Sequence, residues 1–219
     1  MLVVAPHPDD ESLGCGGAIA LLAQGGAAVH IVFVTDGGGS HPSHPRVTPA
    51  DLAALRCAEA RAALEALGIE AANATFLRAQ DGGLSRLGEA GARELAGEIA
   101  AVLERVAPDT LLVALRHDGS TEHDASFALV LRALGGARPG PRVLESPVWS
   151  WWNPSLLMEP LVTCRRVWRV DTRPVQEAKA RALRAYASQT DPIPPDVSAA
   201  LPEGFTAQFL CGEEYLFER

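Results

Sequence analysis

Two short apolar runs, Leu2–Ala5 and Val29–Thr35, constrain the fold of this chain more than any other feature. Both are rich in β-branched residues and neither alternates regularly with polar ones, the pattern of strands buried on both faces. Between them Ser12–Gln24 reads as a helix with a small-residue face, closed by Gly25-Gly26. Strand, helix and strand in this order predict a right-handed crossover in a parallel sheet.

The alternation continues. A helix is expected over Pro49–Leu67, with Thr48 as N-cap, Pro49 at the first helical position and Gly68 beyond the end. A strand near Ala74–Leu77, a helix over Arg86–Val106 and a strand at Thr110–Leu115 follow. The His117–Thr121 loop then leads into a helix running to about Leu134. Strands are expected at Arg142–Trp149 and Val167–Asp171, separated by an irregular Trp-rich stretch, and a helix at Pro174–Ala187. Gln189–Pro202 carries four prolines and reads as extended loop. The prediction is an α/β fold with a mostly parallel sheet, whose ligands bind beyond the carboxyl ends of the strands.

At 219 residues the chain is sized for one domain, 1–219, and its 47% hydrophobic content suits a packed core. A formal net charge of −8 opposes binding to a phosphate backbone, so no nucleic-acid partner is expected. The densest basic pair, Arg165-Arg166, is too short for a membrane patch, and no apolar run approaches the roughly 20 residues of a span. Cys15, Cys57, Cys164 and Cys211 lie far apart, and no signal peptide is evident. Free thiols in a reducing cytoplasm are the economical expectation. Whether the chain forms a homo-oligomer is left open.

Chemistry concentrates in two segments. Pro6-His7-Pro8-Asp9-Asp10-Glu11 directly follows the first strand. Adjacent aspartates entering a crevice repel unless a cation or proton neutralises one. A divalent metal held by His7 and one aspartate relieves that conflict and leaves the other to act on water, while Glu11 is placed to cap or orient. The bland reading is an acidic helix cap beside an incidental histidine, but the proline brackets and the strand context favour a site. The second segment, His117-Asp118-Gly119-Ser120-Thr121-Glu122-His123-Asp124, follows the Leu111–Leu115 run. His123 there starts a helix facing the same crevice. Two histidines and one carboxylate leave an open coordination position, as in catalytic zinc sites, although iron, cobalt or manganese also suit such ligands.

With these residues the chain resembles the PIG-L/LmbE-like family of zinc-dependent N-acetylglucosamine deacetylases. The resemblance begins at Pro6–Glu11 and Leu13-Gly14-Cys15-Gly16-Gly17. It runs through Thr35-Asp36-Gly37, Arg56, Glu59, Asp81-Gly82 and Asp118-Gly119 to His123, and ends with Lys179 and Ala187-Ser188-Gln189. It implies a Rossmann-like three-layer α/β/α fold and hydrolysis of an amide by metal-activated water. It further implies Zn2+, or another divalent transition metal, on His7, Asp10 and His123, with Asp9 as general base. Arg56 and Asp81 match positions that bind the sugar, and the implied partner is a small N-acetyl amino sugar or its conjugate. Ser120 departs from the pattern: the family often carries a histidine there to stabilise the oxyanion. The Ser120 hydroxyl or the nearby His117 is the expected substitute, and His41 and His44 are further candidates to line the pocket. The aromatic cluster Trp149, Trp151 and Trp152 fits either a stacking platform or core.

Two other readings remain. A non-catalytic metal- or sugar-binding descendant is favoured by Ser120 and opposed by the intact Asp9. A nucleotide-dependent oxidoreductase is suggested by the α/β alternation alone; acidic residues precede Gly14-Cys15-Gly16-Gly17 where a pyrophosphate would sit.

Overall fold

The computed structural model describes residues 1–136, 140–195 and 198–219. It holds seven strands: β1 (Leu2–Ala5), β2 (His30–Thr35), β3 (Ala74–Ala79), β4 (Thr110–Ala114), β5 (Arg142–Ser146), β6 (Arg166–Asp171) and β7 (Glu213–Glu218). The helices that matter here are α1 (Asp10–Gln24), α2 (Pro49–Ala66), α3 (Glu89–Val106), α4 (Thr121–Leu134), α5 (Met158–Thr163) and α6 (Gln176–Ala185). The sheet order is β3-β2-β1-β4-β5-β7-β6. Its first five strands are mutually parallel, and β7 runs antiparallel to both β5 and β6.

The chain leaves β1 for β2 and β3 on one side, then returns to place β4 on the other side of β1. Beyond the carboxyl ends of β1 and β4 the connections therefore diverge. That point of divergence is where an open α/β sheet forms its crevice.

Successive residues of the central strands point to opposite layers. Val3, Ile31, Phe33 and Leu112 pack with Ile19, Ala60, Leu64 and Ala182 of α1, α2 and α6. Leu2, Val4, Val32 and Val113 pack with Leu95, Ile99, Phe127 and Val130 of α3 and α4. Burial on both faces is why β1 and β2 read as continuous apolar runs. Among the described residues no helix is long and apolar enough to cross a membrane.

Local signals act as expected in α2, where Thr48 and Asp51 form a reciprocal capping box and Pro49 opens the helix. α1 departs from a regular helix: it breaks at Cys15 (φ −149°) and restarts, with the Glu214 carboxylate accepting from the backbone N–H groups of Gly17 and Ala18 at 2.6 and 2.8 Å. Lys179 pairs with Glu214 at 2.6 Å inside the protein.

Two expectations are corrected, and one strand escaped the sequence reading. The strand expected over Arg142–Trp149 ends at Ser146, because Pro147 interrupts pairing and Trp149–Trp151 turn into a short 3-10 helix. The expected Val167–Asp171 strand is β6, but β7, which was not anticipated, inserts antiparallel between it and β5. The helix expected over Pro174–Ala187 is α6, which starts at Gln176 and stops at Ala185. The Gln189–Pro202 loop falls partly outside the described residues, at positions 196–197.

Candidate metal centre and active site

Four residues, Pro6 to Asp9, carry the chain from the end of β1 into α1, and the turn folds back on itself. The His7 backbone N–H donates to Asp10 Oδ2 at 2.9 Å, and His7 Nδ1 lies 3.0 Å from the same oxygen. The other oxygen, Asp10 Oδ1, stands 3.3 Å from His123 Nε2. His123 sits in the first turn of α4, whose N-cap is Ser120. The adjacency of β1 and β4 thus brings residues 7 and 123 together, with ring centroids 5.8 Å apart.

His7, Asp10 and His123 each offer one ligand atom, all within 4.8 Å of one another. His123 Nε2 is buried and finds no hydrogen-bond partner among the described residues. Buried polar atoms are seldom left so. A divalent cation between the three side chains gives this nitrogen its partner, and two imidazoles with one carboxylate are a suitable donor set. The residues fit a metal.

Electrostatics agree with that fit. Burial disfavours a charged His7, but Asp10 and Asp81 outweigh it and raise the ring to about 9. Burial likewise disfavours a charged His123, but Asp10 and Asp118 lift it well above the ordinary value. Burial pushes the Asp10 carboxyl up, yet His123 and His7 prevail and hold it far below the usual carboxylate range. Positive charge is strongly favoured at this spot, whether from protons or from a metal.

Behind His123 stands a residue to which the sequence assigned no role. Asp118 Oδ1 lies 3.0 Å from His123 Nδ1, while its Oδ2 accepts from the N–H groups of Val148 and Trp149, each at 3.1 Å. A carboxylate behind the ring orients a ligating imidazole and fixes which nitrogen faces the metal. The advance signals were its position at the carboxyl end of β4 and its place in the family pattern, neither of which gave it a role.

Asp9, beside the cluster, has φ 133° and ψ −29°, a conformation that L-residues rarely adopt and that costs about 1–3 kcal/mol. Its carboxylate lies 2.9 Å from Arg56 Nη2. Burial raises its pKa to about 7, and the neighbouring guanidinium only partly opposes the shift. Arg56, itself 3% exposed, also donates to the Gly37 carbonyl at 3.2 Å and, in a closer contact, to that of Pro8. Gly37 (φ +68°) has to be a glycine, since a Cβ there would stand 2.8 Å from Arg56 Cδ. Asp81 reaches His7 Nε2 at 3.2 Å and accepts from Gly39 N–H at 3.0 Å.

A cavity of about 490 Å³ opens over these groups. Its lining joins polar His7, Asp9, Asp10, Arg56, Asp81 and Ser120 to apolar Leu13, Val148, Trp149, Leu201 and Phe205. Ser120 Oγ accepts from His123 N–H at 3.4 Å, a bond that leaves its hydroxyl proton unused. His117 does not reach the cavity: φ +60° turns it outward, where its ring is 65% exposed and lies 3.2 Å from Asp124 Oδ1. His41 and His44 do not line the cavity either; Ser40, bonded to the His41 ring, does. Trp149 packs on Phe205 at 4.8 Å, Trp151 joins the core near Tyr215, and Trp152 is 46% exposed.

Comparison with known proteins matches the GlcNAc-PI de-N-acetylase (PIG-L) family model over residues 2–134, from β1 through α4. A diacetylchitobiose deacetylase of Thermococcus kodakarensis is 29% identical, aligning 90% of this chain with 71% of that protein. A 1D-myo-inositol 2-acetamido-2-deoxy-alpha-D-glucopyranoside deacetylase of Mycobacterium sp. (strain JLS) is 30% identical over 99% of this chain and 82% of its own length. Among solved structures, the N,N'-diacetylchitobiose deacetylase of Pyrococcus horikoshii superposes with a TM-score of 0.68 at 21% identity, covering 90% of this chain and 71% of that one. The fold is therefore that of these deacetylases, and by the family match and the Mycobacterium relative together the chain belongs to the PIG-L family of de-N-acetylases.

Proposed function

We propose that this chain is a metal-dependent hydrolase that removes the acetyl group from an N-acetylglucosaminyl-type substrate. The observation that carries the reading is the His7–Asp10–His123 cluster with a buried carboxylate, Asp9, beside it. The names of the relatives supply the substrate class, an acetylated amino sugar. Zinc is the favoured metal by ligand type, and other divalent transition metals suit the same donors. When bound, such a metal acidifies water and polarises a carbonyl.

The chain's own residues supply the rest. Asp9, whose carboxyl burial pushes above the ordinary carboxylate range, takes one from the attacking water. After the C–N bond breaks, the same carboxyl returns the proton to the leaving amine. Ser120 has a hydroxyl proton available for the acyl oxygen, at the position where the family often carries a histidine. Arg56 and Asp81, on the polar wall, are placed to hold sugar hydroxyls. A reducing cytoplasmic setting, in keeping with the four free cysteines, and residues 1–219 acting as one catalytic domain belong to the same proposal. Asp9, intact and buried beside the cluster, argues against a non-catalytic binding module and outweighs Ser120.

Purified protein, assayed for free amine on a panel of N-acetyl amino sugars and their conjugates, tests this. Deacetylation should stop on chelation and return with zinc or cobalt. Amide cleavage indifferent to chelators would overturn the metal assignment, and no cleavage across the panel would overturn the substrate class.

A further inference from the structure

One buried carboxylate of the first motif has no part in the chemistry above. Glu11 is 1% exposed and is not among the groups that could hold a metal. Both of its oxygens are engaged. Oε1 accepts from the Tyr186 hydroxyl at 2.8 Å and from Ser12 Oγ at 2.5 Å, and Oε2 accepts from the backbone N–H of Asp9 at 3.1 Å. Tyr186, also 1% exposed, follows the last residue of α6, 175 positions from Glu11.

The bond to Asp9 falls at the strained peptide. With φ at 133°, Asp9 keeps its conformation only if its surroundings over-determine it. Its carbonyl accepts from Ser12 and Leu13 at the start of α1, and its carboxylate meets Arg56 from α2. The N–H is the remaining handle, and Glu11 takes it. The Tyr186 segment is fastened in turn to the helix that carries Arg56: Ser188 donates through N–H and Oγ to the two oxygens of Glu59 at 2.8 and 2.7 Å. Glu59 and Ser188 belong to the family pattern and had no role until this point. α2 thus steadies Asp9 by two routes, through Arg56 directly and through Glu59, Ser188, Tyr186 and Glu11.

From this geometry we propose that Tyr186 and Glu11 are positioning residues, a buried brace that holds the Asp9 backbone in its strained conformation and so aims its carboxylate at the metal cluster. The proposal rests on the reading of Asp9 as the base. It assigns Glu11 a geometric role, so an acceptor is what position 11 requires and a charge is not.

The test uses the full-length, metal-loaded enzyme with metal content, kcat and KM measured on each variant. Tyr186→Phe should keep one metal per chain and a KM within about twofold of wild type, while kcat per bound metal falls about tenfold or more, since small misplacements of a reacting group are costly. Glu11→Gln, which retains an acceptor for the Asp9 N–H, should hold kcat within about threefold; Glu11→Leu should lose about a hundredfold. A crystal structure of Tyr186→Phe should show Asp9 relaxed from its positive φ. Unchanged kcat in Tyr186→Phe, or a Glu11→Gln loss as deep as that of Glu11→Leu, overturns the brace. If Glu11→Leu does not fold, Tyr186→Phe and Glu11→Gln still decide. Asp9→Asn assayed alongside separates the two levels: full turnover in that variant sinks the base reading and the brace with it, whereas a dead Asp9→Asn beside a fully active Tyr186→Phe sinks the brace alone.

Discussion

Asp9 and Asp10 are neighbours with opposite fates. Burial drives the first towards its neutral form, while two imidazoles hold the second ionised. That division suits one to move protons and the other to bind a cation. Asp9→Asn should therefore keep its metal, by elemental analysis, while turnover drops about a hundredfold or more. The carboxylate behind the ligand has its own signature: Asp118→Ala should weaken metal binding about 10- to 100-fold in a competitive chelator titration, because the His123 ring loses its orienting partner. The ligands were legible in the sequence because their residue types announce them. Asp118 was not, because its role exists only once the β4 loop folds over the His123 ring. His117 shows the reverse: its side chain is of the right type, but the left-handed backbone at His117 and again at Gly119 (φ +98°) turns it away from the cavity that Ser120 lines.

At the scale of elements, α1 and β7 depend on each other. The small residues of α1 were readable as a close-packed face, and the structure supplies the reason: a Cβ on Gly17 would stand 2.4 Å from Thr172 Cγ2 and 2.9 Å from Glu214 Oε1. Gly17→Ala should cost about 1–3 kcal/mol, seen as a lower urea midpoint at unchanged slope. β7 stayed hidden because Glu213, Glu214 and Glu218 give its six residues a polar look, whereas Glu214 turns inward to Lys179 and the restarted helix. The packing of α3 on α4 gives a pH test. Hydrogen bonding and charge from Arg132 hold the Glu89 carboxyl down at about 2, below its ordinary value near 4.3. A depressed carboxyl stabilises the fold above its unfolded value and loses that contribution as pH falls towards 2. The gap in melting temperature between wild type and Arg132→Gln should therefore narrow from pH 6 to pH 3. A constant gap would show that the pair carries no linked proton.

Considered whole, the molecule divides unevenly along its chain. Residues 2–134 match the family model and hold the candidate ligands His7, Asp10 and His123 together with Asp9, Arg56, Asp81 and Ser120. The remainder supplies Lys179 and Glu214 under α1, Tyr186 beside Glu11, and the strands that finish the sheet. A chain ending at residue 136 should consequently retain every ligand and still fail to bind metal stoichiometrically, because α1 loses the partners that bury it. A cooperative melt with one bound metal in that fragment would refute the dependence. The candidate ligands hang from β1 and β4 at the centre of the sheet, whereas all of the cavity's apolar side chains except Leu13 of α1 follow β5 or α6, among them Val148, Trp149, Leu201 and Phe205. The proposed chemistry and most of the apolar rim thus hang on separate stretches of chain. A rim built this way can be reshaped without disturbing the strands at the hub.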